Sequence, residues 1–268
     1  MSVNLKQLSE YLGISQTTVS RGLNGFPEVA EKTRQRILKA AEELDYRPSP
    51  GASGLATGQA KIIGHVLPTS AHMMINPHFA DFVAGANEVY SASGYDMMLR
   101  LAAPDNEVEI YREYARHRRV DGVVVHGPHV DDPRIALLQE LGLPFIVHGR
   151  SNNASGPYAW LDVNNKRAFE RAVGHLVGLG HSAIALVNGL EAMNFAQRRR
   201  SGFEAGLEAA GLLPKANHMT SGDLTEPYGY RATRDLMATD RPPTAIVYAS
   251  VLPALGGVRA LGDMDLKV

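Results

Sequence analysis

The sequence predicts an N-terminal all-α helix-turn-helix headpiece, followed by an α/β body of two doubly wound parallel-sheet lobes, the second incomplete. Three observations predict it. The first fifty residues carry three short amphipathic helix patterns and no strand pattern. Gly, Ala and Ser crowd residues 49–61, which read as a linker. From Ile62 onward, short apolar runs alternate with helical patterns, the rhythm of parallel sheets covered by helices on both faces.

In the headpiece, Asn4 is a good N-cap, and Gln7 three residues later can close a capping box. Leu5, Leu8 and Leu12 then form one apolar stripe that Gly13 stops. Ser15 caps a second helix whose inward residues are Val19 and Leu23, and Asn24-Gly25 ends it. A third helix runs from about Glu31 to Leu44, with Ile37, Ala40, Ala41 and Leu44 inward. The tight Gly13-Ile14-Ser15 turn gives the first two helices helix-turn-helix spacing. With Val19 and Leu23 inside, Gln16, Thr17, Ser20, Arg21 and Asn24 face outward. That short polar face carries a guanidinium and no acid, which suits the donor and acceptor edges of bases in a major groove. Spacing alone also fits a three-helix bundle with a polar side, because amphipathic helix pairs are common.

In the body, Ile62–Leu67 reads as a strand, and Asn76-Pro77 opens a helix that ends at Gly94. Strands follow at Tyr95–Leu101, Val120–His126, Leu143–His148, Ala183–Val187 and Thr244–Tyr248. Between and after them come helices at Asn106–Arg118, Arg134–Leu141, Ala168–Leu179, Phe195–Ala210, Pro227–Ala238 and Leu252–Leu261. The crossing near Trp160–Asn165 marks passage between lobes. The expected division is headpiece 1–48, hinge 49–61, first lobe 62–162 and second lobe 163–268. Asp265–Val268 reads as the approach to a further strand, so a longer parent chain is expected.

Composition sets limits rather than answers. Net charge is −1, and the first fifty residues hold seven basic against six acidic side chains, so charge alone does not signal nucleic acid. The chain has no cysteine, which removes disulfides and thiolate chemistry. It shows no signal peptide and no apolar run able to span a bilayer, so a cytoplasmic protein is expected.

The stretch Leu5–Gly25, with Thr18-Val19-Ser20-Arg21 its most distinctive part, resembles the headpiece of the lactose/galactose repressor family of bacterial transcription regulators. Val29–Arg34 and Ala41–Pro48 are similar to that family's third helix and exit. The resemblance implies that Gln16, Thr17 and Arg21 read bases, while Ser15, Ser20, Asn24, Thr33 and Tyr46 mainly hold phosphates and set register. It implies a hinge helix formed on DNA, with Leu55 wedging into the minor groove and Ala52 packing at the symmetric contact. Gly51 and Gly54 each cost such a helix about 1 kcal/mol relative to Ala, so order there should depend on DNA.

Leu179–Gly189 and Arg198–Leu207 are similar to the family's second lobe, and the family shares its two-lobed body with periplasmic sugar-binding proteins. Open α/β sheets bind ligands beyond the C-terminal ends of their strands. The candidates there are Phe79, His126, Arg150 and Arg199: Phe79 to stack on a sugar face, the others to hydrogen-bond hydroxyls. His126 also fits a strand-end histidine satisfied by backbone, and Arg199 a solvated charge within Arg198-Arg199-Arg200.

Other signals fail. His126 and His129 lack the further ligands of a metal site, and no metal or cofactor is expected. Gly174–Gly180 looks like a phosphate loop but lies at a helix end rather than a helix start. Asn153-Ala154-Ser155 is a sequon without meaning in a cytoplasmic chain. No nucleophile elbow or carboxylate pair stands out, so no enzyme is expected. The expected function is a sequence-specific DNA-binding regulator, acting as a homodimer on operator DNA and answering to a small sugar, with phrasing closest to α-glucoside or α-galactoside regulators. The alternative is a sugar-binding receptor without a regulatory role, which fits the body but not residues 4–48.

Overall fold

The computed structural model describes residues 3–47, 58–69, 77–103, 106–152 and 156–267. The headpiece consists of α1 (Leu5–Leu12), α2 (Gln16–Leu23) and α3 (Glu31–Glu43). Its caps follow the sequence signals. Asn4 accepts from the Gln7 amide at 3.0 Å, and the Gln7 side chain accepts from the Asn4 amide at 2.9 Å. Gly13 takes the left-handed conformation, φ 66°, that lets α1 end in a tight turn. Ser15 Oγ accepts from the Thr18 amide at 3.1 Å to start α2. Leu8, Val19 and Ile37, one from each helix, are wholly buried at the centre. Burial of each such side chain is worth about 1.5–3 kcal/mol.

The first lobe contains β1 (Ile62–Pro68), α4 (Pro77–Ala92), β2 (Asp96–Ala102), α5 (Glu107–His117), β3 (Gly122–His126), α6 (Pro133–Leu141), β4 (Phe145–His148) and β5 (Ala159–Leu161). Its five strands lie in the order β2-β1-β3-β4-β5, all parallel. Val66, Val123, Val125 and Val147 face Tyr111, Tyr114, Ile135 and Leu138 in one core. Parallel pairing brings the C-terminal ends of β3 and β4 to one edge, with His126 opposite His148.

The second lobe contains α7 (Asn165–Gly178), β6 (Ile184–Asn188), α8 (Asn194–Ala209), β7 (Met219–Ser221), α9 (Glu226–Met237), β8 (Ala245–Tyr248) and α10 (Val251–Asp263). Three parallel strands run in the order β7-β6-β8. Ile184 and Leu186 pack on one face with Val173 and Phe203, while Ala185 and Val187 pack on the other with Ala232 and Leu236. Burial on both faces is why β6 reads as an unbroken apolar run rather than an alternation. At Gly202 a Cβ would collide with the Lys166 carbonyl, so glycine allows α8 to lie directly on α7.

The differences from expectation are local. β5 and β7 are three residues each, too short to show a period, and had no counterpart in the sequence pattern. Helix α7 starts at Asn165 rather than near Ala168, because the Asn164 side chain caps it by accepting from the Arg167 amide. Helix α10 runs on to Asp263 rather than ending at Leu261, and Met264 and Asp265 form a turn after it, with Asp265 at φ 58°. The expected cap Asn76 lies outside the described residues. Between the lobes, the Val130 amide donates to the Ala192 carbonyl, and the Asn194 amide to the Pro128 carbonyl. The Asn194 side chain adds a 2.7 Å bond to Asn152 Oδ1. Among the described residues no helix is long and apolar enough to cross a membrane.

Candidate functional site

Two regions gather the residues singled out above. On α2, Gln16, Thr17 and Arg21 are exposed and Ser20 is half-buried. With Leu5 and Phe26 these four rim one shallow depression. Among the described residues Arg21 makes no ion pair, which leaves its guanidinium available to an outside acceptor. Asn24 donates to the Ser20 carbonyl at 2.8 Å, so its side chain helps to end α2. Ser15 is engaged with Thr18, and Thr33 is half-buried at the start of α3. Tyr46 packs against the headpiece core, and burial raises the pKa of its phenol. Ala52 and Leu55 lie outside the described residues.

The second region is a cleft of about 560 Å³ between the lobes, and the structure brings Phe79, His126, Arg150 and Arg199 to its walls. Helix α4 supplies Phe79 and Phe82, and α8 supplies Phe195 and Arg199. Arg199 is held from two sides: Nε donates to Asn165 Oδ1 at 2.8 Å and Nη1 to the Ala249 carbonyl at 2.6 Å. Its guanidinium lies 4.7 Å from the Phe195 ring centre. Burial pulls its pKa below the ordinary arginine value, and nearby Asp162 opposes that pull. This geometry differs from that of a solvated helix charge. Arg150 donates to Asp162 at 3.1 Å and lies 4.6 Å from the ring centre of Trp160, the single tryptophan of the chain.

His126 is 5% exposed and is satisfied by other imidazoles rather than by backbone. His65 Nδ1 lies 2.9 Å from its Nε2, and His148 Nδ1 lies 3.3 Å from its Nδ1. Burial pushes His65 down to about 4 and His126 to about 3, the latter also through its neighbouring histidines and Arg134. Both are therefore neutral at pH 7.

Behind the cleft, buried Arg134 fixes the strand end that carries His126. It donates to Asp132 at 2.7 and 2.9 Å and to the His126 carbonyl at 3.1 Å, with Glu107 at 3.5 Å. Burial penalises both charges, yet their hydrogen bonds and attraction prevail. Asp132 stays below the usual carboxylate range and Arg134 above the usual arginine value.

His65, Phe82, His148, Asp162 and Phe195 were missed in the sequence. One signal existed for two of them: His65 and His148 are lone polar residues in apolar strand runs, and a buried polar group needs a partner. The others come from separate elements and carry no local mark.

A polar helix-turn-helix face on a small α-domain, carried by a two-lobed α/β body with a hydrogen-bonding cleft, defines the class of ligand-responsive DNA-binding regulators. Comparison with known proteins makes this specific. Residues 4–49 match the family described as bacterial regulatory proteins of the lacI family. Residues 60–267 match periplasmic binding proteins and the sugar-binding domain of the LacI family. The transcriptional regulator AglR of Rhizobium meliloti (strain 1021) is 42% identical over 268 residues, spanning 100% of this chain and 75% of AglR. RafR of Escherichia coli is 33% identical over 97% of this chain and 76% of its own length. The Lac repressor dimer bound to operator and the anti-inducer ONPF superposes with TM-score 0.81 at 27% identity, covering 100% of this chain and 80% of that one. A CelR–cellobiose complex gives TM-score 0.71 at 27% identity, covering 99% and 80%. The chain belongs to the LacI family and is a helix-turn-helix transcriptional regulator with a sugar-binding domain. AglR and RafR are transcriptional regulators rather than enzymes.

Proposed function

We propose that the protein is a cytoplasmic repressor that binds a pseudo-palindromic operator as a homodimer and answers to a neutral sugar in the interlobe cleft. The observation that carries the reading is the cleft itself, lined by the aromatic rings of Phe79, Phe82 and Phe195 together with hydrogen-bonding groups on Arg199, Arg150 and His148. Sugars present apolar ring faces and a rim of hydroxyls, and a site with those two kinds of wall suits them. The ligand class is an α-glucoside or α-galactoside, and the cellobiose held by the CelR relative supports a disaccharide-sized occupant. On the DNA side, Gln16, Thr17 and Arg21 contact base edges while Ser15, Ser20, Asn24, Thr33 and Tyr46 hold backbone. Two-fold symmetry doubles the few base contacts one headpiece can make. Residues 1–48, 49–61, 62–162 and 163–268 act as headpiece, hinge and two lobes, and Ala52 and Leu55 serve the hinge contact.

A thermal-shift panel of maltose, trehalose, melibiose and raffinose tests the sugar, followed by a gel shift on a palindromic operator with and without the stabilising sugar. Stabilisation by at least one α-linked sugar, with a change in operator affinity, is expected. Tight operator binding indifferent to every sugar that binds would leave a regulator without this effector.

A further inference from the structure

His65, His126 and His148 stand on three adjacent strands, β1, β3 and β4, with His126 directly opposite His148 and two residues beyond Val124, the partner of His65. Hydrogen-bonding contacts link the three rings in series. Tyr90 on α4 places its hydroxyl 3.3 Å from His65 Nε2. His65 Nδ1 then meets His126 Nε2 at 2.9 Å, and His126 Nδ1 meets His148 Nδ1 at 3.3 Å. Phe82 stacks on the His148 ring, 5.1 Å between centres and 12° between planes, and fixes its orientation. His148 lines the cleft, whereas Tyr90 and His65 do not. Among the described residues no partner meets His148 Nε2. Nor do any three His, Asp or Glu side chains converge so as to hold a metal ion, again among the described residues.

A neutral imidazole has one N–H and one lone pair, and the bond made by one nitrogen decides the state of the other. Every contact in the chain needs one donor and one acceptor, so the three rings can hold only two consistent arrangements. In the first, Tyr90 donates to His65, His65 Nδ1–H to His126, and His126 Nδ1–H to His148, which leaves His148 with Nε2–H. In the second every proton is reversed, and His148 Nε2 presents a lone pair. A phenol is a better donor than acceptor, so Tyr90 favours the first.

We propose that Tyr90, His65 and His126 form a tautomeric relay that sets His148 as an N–H donor into the cleft, making Tyr90 and His65 specificity-determining positions that never touch the ligand. The group recognised is an acceptor oxygen of a neutral ligand, a hydroxyl or ring oxygen if the sugar reading of the cleft holds, on which that part of the inference rests. Burial holds His65 and His126 neutral, and desolvation lowers His148 below the ordinary histidine value against the pull of Asp162, so at pH 7.5 the choice is one of tautomer rather than of charge.

The test uses the full chain labelled with [15N]histidine at pH 7.5, where ring-nitrogen shifts separate N–H from lone-pair nitrogens. The expected result is Nε2–H at His148 and Nδ1–H at both His65 and His126. Tyr90→Phe removes the anchor and should lower the Nε2–H share at His148 to roughly half. Affinity for whichever of maltose, trehalose, melibiose and raffinose binds should then fall roughly twofold, as halving the competent population requires. His148→Ala should weaken that affinity about tenfold or more, with Tyr90→Phe adding nothing in the double variant. A His148 found with Nδ1–H or doubly protonated overturns the relay, as do His148 signals unmoved by Tyr90→Phe or additive losses in the double variant. If none of the four sugars binds, the sugar reading fails while the spectra still decide the relay.

Discussion

The outer face of α2 and the interlobe cleft each hold an arginine, and they are held in contrasting ways. Arg21 is exposed, and no ion pair is made to it among the described residues. Arg199 is fixed by Asn165, the Ala249 carbonyl and the Phe195 ring. The headpiece face keeps a solvated donor, which suits the large, rigid duplex proposed as its partner. The cleft instead holds its arginine with hydrogen bonds in advance, which suits the small ligand proposed for it, since a preformed shape lowers the cost of binding. A further contrast is chemical. All ten histidines of the chain lie beyond the headpiece, so buried imidazoles are a property of the body alone.

The largest expected effect sharpens the contrast in stability. Arg134→Ala leaves Asp132 charged and buried, and breaking such a pair costs about 3–5 kcal/mol. Urea unfolding should show the body destabilised by that amount while the headpiece transition stays in place. A loss below about 1 kcal/mol would mean that water replaces the guanidinium.

Arg199→Ala removes two charge-assisted hydrogen bonds, each worth about 1.5–3 kcal/mol, and the cleft's fixed donor. Titration calorimetry should show sugar affinity down by roughly 100-fold or more, with operator affinity unchanged. Undiminished sugar binding would make Arg199 a strut of the second lobe only.

Acid should separate the two regions as well. His65 and His126 hold folded values of about 4 and 3, below the ordinary histidine value of about 6.5. Below pH 6.5 the unfolded chain therefore binds protons that the folded chain refuses, and stability falls as pH drops through that window. By pH 5 the cost is roughly 2 kcal/mol per imidazole. Calorimetry from pH 7.5 to 5 should lower the melting of the body more than that of the headpiece. A body transition flat to pH 5 would show that the relay accepts protons freely.

The smallest effect belongs to the exposed side. Arg21→Ala should leave folding within about 0.5 kcal/mol of the parent, as surface changes do. It should cost about 1–3 kcal/mol of operator binding per half-site and relax selectivity at one base pair. Equal selectivity in a gel-shift competition would assign Arg21 to the phosphate backbone instead.

How much was legible follows from distance along the chain. The headpiece was readable because its determinants are local: Asn4 with Gln7, Ser15 with Thr18, and the outward set Gln16, Thr17, Ser20 and Arg21 lie within a turn or two of one another. The alternation of strand and helix was equally plain, since β3 and β6 are buried on both faces and read as unbroken apolar runs. Strands β5 and β7 were not, because three residues cannot display a period of two.

By itself, then, the sequence determined the helices with their caps, the parallel-sheet class and the polar face of α2. Each of these rests on hydrogen bonds and burial patterns repeated within a few residues. Only the tertiary structure decided which side chains share the cleft. Phe79, His126, Arg150 and Arg199 were legible as candidates from their places at strand and helix ends and from the family resemblance, whereas Phe82, His148, Asp162 and Phe195 come from separate elements whose local sequence does not record that they share the cleft. Likewise the partners of His126 were decided by strand order, which sets β3 between β1 and β4. Strand order is a property of how whole sheets bury their faces, not of any segment's own preference.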